Sequence, residues 1–349
     1  GTSTPSEKLQ VVGNISNIIG VGTTISQIAT TSVGGVLPRE VFVSGRYAYT
    51  VNEDSDSISV IDVSNPVAPV LIATTSVENG PESIYVSGRY AYVVNVGSST
   101  ISVVDISNPK APVQIATTSV DMWPYSIYVS GKYAYVINYG SSTLSVVDIS
   151  NPSAPVQIAT TSVGAGPFSV YVSGRYAYTT NNSSNTLSVV DISNPLAPVQ
   201  IATTSVGSAP RGLFVSGRYA YVVNNGSNDI SVVDISNPSA PIQITTTSVG
   251  AGPRGIFVSG RYAYITNANT PSSLSVIDIS GTEVSSLMAH SAEVGNIQSR
   301  NDIFAQGNIM AGTSLMVGAG GIMSNGSLSI FASTTGSTSS IFGIDSAQT

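Results

Sequence analysis

The chain has 349 residues, 42% of them hydrophobic, yet only 9% are charged and the formal net charge is -7, whereas an average soluble domain is roughly a quarter charged. It has no cysteine and one histidine, His290, which excludes disulfide frameworks and thiolate sites and leaves no material for a zinc site built on several histidines. The acidic balance and the lack of any Lys/Arg cluster argue against nucleic acid as a partner.

Residues 1–22 open with Gly-Thr-Ser-Thr and run into Val12-Gly13-Asn14-Ile15. They carry no basic and apolar leader pattern, and read as the start of a piece cut from something longer. Large apolar residues are too few for a core of their own.

A repeat follows. Ser-Gly-(Arg/Lys)-Tyr-Ala-Tyr starts at Ser44, Ser87, Ser130, Ser173, Ser216 and Ser259, each start 43 residues after the last. A second motif, close to Ile-Ser-Val-Val-Asp-Ile-Ser, places an acid at Asp62, Asp105, Asp148, Asp191, Asp234 and Asp278. In the second unit the runs rich in Val, Ile, Tyr and Thr predict strands at Ser83–Val86, Tyr90–Asn95, Ile101–Ile106 and Val113–Val120,. Ser87-Gly88 is a tight turn, and Asn108-Pro109-Lys110-Ala111-Pro112 is a corner where two prolines cannot donate to a ladder,. Four short strands per unit, apolar on both parities, describe a propeller blade covered on both faces, and helical repeats are rejected.

The outer-strand motif Ile-Ala-Thr-Thr-Ser-Val already stands at Ile28–Val33, before any blade, whereas the last unit ends at Ile279-Ser280-Gly281 without its own copy. The expected fold is therefore all-β: a six-bladed propeller over residues 23–282, with Ile25–Val33 pairing with the strand that ends at Ile279 and closing the ring. Apolar stretches are broken every few residues, so no membrane span is expected.

The runs Tyr-Val-Ser-Gly-Arg-Tyr-Ala-Tyr-Val-Val-Asn (85–95) and Ser-Val-Val-Asp-Ile-Ser-Asn-Pro (102–109) resemble the LVIVD-repeat propellers and are similar to the YVTN surface-layer repeats. The resemblance implies an extracellular or cell-surface propeller of bacteria or archaea, with no catalytic residue to carry across. Residues 283–349, which contain Val294-Gly295-Asn296-Ile297 and Gln306-Gly307-Asn308-Ile309, resemble, with residues 1–22, the modules of tail-fibre-like and bacterial surface fibres. That implies a knob on an intertwined, often trimeric, shaft.

Most repeated polar residues have structural explanations. The repeat acids are expected to pair with Arg46, Arg89, Lys132, Arg175, Arg218 and Arg261 or to accept turn amides, and the repeated Asn52, Asn95, Asn138, Asn181, Asn224 and Asn267 to cap strand ends,. Glu53-Asp54-Ser55-Asp56 has the hard oxygens a calcium ion needs, but its counterparts in other blades carry no carboxylate, so a solvated loop is expected,. His290 is read as incidental.

The position after the repeated proline differs, because there the copies diverge: Arg39, Glu82, Tyr125, Phe168, Arg211 and Arg254. Propeller topology puts this position at the channel mouth. The basic residues of blades five, six and one then lie side by side, opposite Tyr125, Phe168 and the only tryptophan, Trp123. Arginine forks match anions and aromatic faces stack on sugar rings, so the expected ligand is an anionic surface glycan, a protein ligand being the other possible partner. Glu40 and Glu82 compete for the same arginines. The expected protein is not an enzyme and needs no cofactor or metal. The alternatives are a spacer of a fibre or surface layer, and a propeller lactonase or lyase.

Overall fold

The structure, a computed structural model, describes residues 28–279. The expected fibre-like flanks, 1–22 and 283–349, and His290 lie outside the described residues. The chain divides into two compact units, Gly1–Met288 and Ala289–Thr349, the second wholly outside the described residues.

The described residues form six antiparallel sheets, one per repeat. Blade one is β1 (Pro38–Ser44), β2 (Tyr47–Asn52), β3 (Ser57–Asp62) and β4 (Val70–Ser76), hydrogen-bonded in that order. Later blades repeat it. In blade two the strands are Pro81–Ser87, Tyr90–Asn95, Thr100–Asp105 and Val113–Ser119, within a few residues of their sequence-predicted bounds. Turns set the register: Gly45 and Gly88 both adopt φ 58, a left-handed conformation that glycine reaches without a Cβ penalty.

Neither face of such a sheet could be buried alone. Tyr49, Val51, Ile58 and Val60 of blade one instead pack with Ile84, Val86, Ala91 and Val93 of blade two, and four further cores join the blades in sequence to blade six. Along the inner strands the aromatic residues at one level touch in series, from Phe42 on Tyr85 at 4.9 Å to Phe214 on Phe257 at 5.5 Å.

The expected closing strand is not seen among the described residues. Among the described residues blade six has three strands, the last Ser273–Asp278, and residues 28–33 lie in no strand; residues 25–27 are outside the described residues. The faces that blades six and one would share are open: Val43 is 60% exposed where its counterpart Val86 is 6%. The ladders within blades are held in register by short turns, whereas a ladder between the two ends of the repeat region has no turn to fix it. Matching motifs at the ends carry no information about that difference.

The repeated asparagines do more than cap. Asn138 is fully buried, and its amide donates to Ser145 Oγ at 2.8 Å and Thr143 Oγ1 at 3.1 Å, tying the second strand to the third near the mouth. Removing it strands a buried serine hydroxyl, which costs about 1–3 kcal/mol. Urea unfolding of Asn138→Ala should show a loss of that size, and a loss below ~0.5 kcal/mol would mean that this bond network does not hold the blade.

Candidate functional site

The inner strands of all six blades begin with proline, and behind each proline the ladder slips. Pro81 pairs with Asn95 and Ser83 with Val94, so Glu82 is skipped; Pro124 and Ser126 skip Tyr125, and Pro167 and Ser169 skip Phe168. In blades one, five and six the slip spans two residues, Arg39-Glu40, Arg211-Gly212 and Arg254-Gly255. A bulged residue is free of ladder geometry and its side chain is re-aimed. All six divergent residues consequently line one cavity of about 390 Å³, together with Ser83, Ser126 and Ser169.

The loop that delivers each inner strand needs a left-handed residue before the proline. Blades two, four and six use Gly80, Gly166 and Gly252, while blades one, three and five use Leu37, Trp123 and Ala209 at φ 57, 57 and 49. The N–H of this residue is tied to the preceding blade: Gly80 donates to Asp56 Oδ1 at 2.8 Å and Ala209 to Asn185 Oδ1 at 2.8 Å. Asp56, in the loop considered for calcium, is thus one copy of a repeated inter-blade tie. Trp123 is not among the cavity-lining residues; it stands on the rim, 49% exposed, with its carbonyl accepting from Tyr139 N–H at 2.8 Å.

The mouth has three sectors. In the first, Arg39 forms an ion pair with Glu53 and lies 3.4 Å from Glu82. Desolvation pushes the Glu82 carboxyl up to about 6, against the attraction of Arg39 and with the repulsion of Glu53 and Glu40. Glu40 is exposed, and its Oε2 accepts from Ile84 N–H at 2.8 Å. In the second sector Tyr125 touches Phe168 and Tyr139, each with ring centroids 5.2 Å apart. In the third, the Arg211 guanidinium lies 5.0 Å over the Phe168 ring, and burial and the like charge of Arg254 lower its pKa. Its Nε is buried and has no hydrogen-bond partner. Among the described residues neither Arg211 nor Arg254 makes an ion pair.

The basic arc read from sequence is therefore divided: Arg39 belongs to a carboxylate cluster, and Arg211 and Arg254 form the free cationic side. Sequence reasoning missed Glu53 as a partner of Arg39, and it missed Tyr139. Both follow the buried repeat asparagine, in a column that also differs among blades: Glu53, Val96, Tyr139, Asn182, Asn225, Ala268. That divergence was a usable signal.

At the opposite end of the strands five of the six repeat acids meet their arginine; in blade three Lys132 lies 5.3 Å from the Tyr133 ring and Asp148 accepts from Ser150 N–H, with no ion pair between them. Arg89 pairs with Asp105 and Arg175 with Asp191, each at 2.6 Å, and Arg46–Asp62, Arg218–Asp234 and Arg261–Asp278 repeat the pair. The arginines also lie over the following tyrosines, for example Arg89 at 5.3 Å from the Tyr90 ring. Asp105 Oδ1 accepts from Ser107 N–H at 2.9 Å, and these bonds hold the repeat aspartates below the usual carboxylate range.

Glu82 carries a stability consequence of definite sign. A carboxyl whose folded-state pKa is raised from 4.5 to about 6 favours folding fully below the lower value and loses that contribution as pH rises through the upper one, a change of about 2 kcal/mol. The depressed aspartates oppose it only at lower pH. Melting temperature should therefore rise as pH is lowered from 7.5 to 5, and Glu82→Gln should flatten the rise. A native protein whose melting temperature is flat over that range would contradict the desolvated environment of Glu82.

Solved structures share the fold. A protein from Lactobacillus plantarum superposes with a TM-score of 0.64 at 18% identity, over 72% of this chain and 84% of its own. A functionally unknown protein from Desulfotomaculum acetoxidans gives 0.57 at 14% identity, over 67% and 79%, and the periplasmic gluconolactonase of Pseudomonas aeruginosa gives 0.55 at 18%, over 67% and 71%. No curated protein matches the sequence. The LVIVD repeat matches residues 38–76, 81–118, 125–161, 168–204, 207–247 and 253–289, one match per blade. With six copies covering most of its length, the chain belongs to the LVIVD repeat family.

Proposed function

We propose that this protein is a non-enzymatic binding and display module of a cell surface or an extracellular fibre, and that its ligand, a surface glycan, binds at the channel mouth. One observation carries the reading: the residues that differ from blade to blade converge on one cavity, while the repeated arginines are paired with aspartates at the far end. Loops and bulges on a rigid scaffold are where recognition can vary without cost to the core. The aromatic sector offers sugar-stacking faces, and Trp123 extends it to the rim. The low-charge, hydroxyl-rich composition suits a surface module, and the flanks would supply the shaft and a trimeric assembly.

A second reading is a lactonase. It draws on the fold shared with the gluconolactonase and on Glu82, a carboxyl near 6 beside Arg39 that could exchange protons near neutrality,. Likeness at 18% identity concerns the fold alone, and among the described residues no cluster of metal-ligating side chains accompanies Glu82.

A glycan array probed with the full chain separates these readings. The binding module should retain a restricted set of glycans, and Trp123→Ala and Phe168→Ala should each lose about tenfold in affinity, equivalent to ~1.4 kcal/mol. An empty array would favour a spacer. Turnover of glucono-1,5-lactone that disappears in Glu82→Gln would overturn the non-enzymatic reading.

A further inference from the structure

The mouth has two kinds of arginine, and the difference between them defines a ligand. Arg39 is neutralised by Glu53 and approached by Glu82, so an anion placed there would meet two carboxylates. Arg211 and Arg254 have no carboxylate partner among the described residues, and they are near enough for the charge of one to depress the pKa of the other. Two cations that line the same cavity and repel each other form an arrangement that an anion would relieve,. The Arg211 guanidinium is spread on Phe168, which leaves its edge to form paired hydrogen bonds,.

The surroundings restrict what else that anion can carry. Tyr125 and Phe168 lie next to the free arginines and offer a ring face, Ser126 and Ser169 offer hydroxyls, and Glu82 on the other side is an acceptor for hydroxyl groups. The cavity, about 390 Å³, is near the small end of the usual range of roughly 300–1,000 Å³. That suits one sugar residue better than a chain of several. A polysulfated chain would also place charge against Glu82 and Glu53.

We propose that the Arg211–Arg254 side of the mouth holds the carboxylate of a single sugar-acid residue, of the hexuronic class, whose ring lies against Tyr125 and Phe168. The proposal rests on the reading of the mouth as a glycan site and goes further, naming the charged group, its position and the pair of arginines that takes it. No bond is made or broken. Arg39 is assigned to the scaffold of the site, and Glu82 to the sugar hydroxyls.

Titration calorimetry on the full chain tests this with galacturonate, glucuronate, galactose and inorganic sulfate as probes. One of the two uronates should bind, while galactose and sulfate should not. Arg211→Ser and Arg254→Ser should each weaken uronate binding at least tenfold, Arg211→Lys should lie between, and Arg89→Ser, at the far end of the strands, should leave it unchanged. Melting curves for each variant separate a lost ligand contact from a lost fold. Uronate affinity unchanged in both serine variants would overturn the proposal, and sulfate binding as tightly as uronate would reduce the site to a simple anion site and overturn it too. If galactose binds and the arginine variants are without effect, the glycan reading stands and this inference fails; if neither the array nor the titration detects binding, both fail.

Discussion

A four-stranded sheet of six- and seven-residue strands has two faces to bury and no means of burying either by itself. Each blade must use its neighbours, and the rest of the molecule depends on that requirement. It explains why strand positions such as Val93, Val136 and Val222 recur and are fully buried, and why the inter-blade loops are tied by the Asp56, Asn185 and Asn228 side chains. Where the chain of neighbours ends, at blades one and six, apolar surface is left open, which marks the place most prone to association.

The same requirement decides where the molecule is able to vary. A residue facing a neighbouring blade is held to one volume, whereas a residue skipped by the ladder behind the proline is not. Six such residues point to one cavity and differ in charge and shape. The repeat charges at the other end cannot serve as a recognition surface in the same way, because each arginine with a carboxylate beside it is already paired and stacked on tyrosine. On a protein with so few charges, two unpaired arginines at the mouth stand out.

Blade architecture was legible because strand alternation, turn glycines and corner prolines are local signals; Tyr90–Asn95 was placed to the residue. Convergence of Arg39, Glu82, Tyr125, Phe168, Arg211 and Arg254 was legible too, since topology alone sends that column to the mouth. What could not be read was which charges cancel. The pairing of Arg39 with Glu53 joins an inner strand to a loop beyond the second strand, and no spacing rule singles it out. The rim position of Trp123, apart from the cavity, follows from a left-handed backbone that only coordinates reveal. The closing strand was inferred from complementary motifs, and motif matching is silent about pairing between remote ends.

The central claim is that the divergent mouth, and within it the Arg211–Arg254 side, is where this propeller meets its ligand. The most direct measurement follows the arginine Nε–Hε resonances of the isotope-labelled full chain during titration with the uronate. Shifts confined to Arg211 and Arg254, with Arg89, Arg175 and the other far-end arginines unmoved, are the expected result. Shifts at the far end with the mouth silent, or no shifts at saturating sugar, would contradict it.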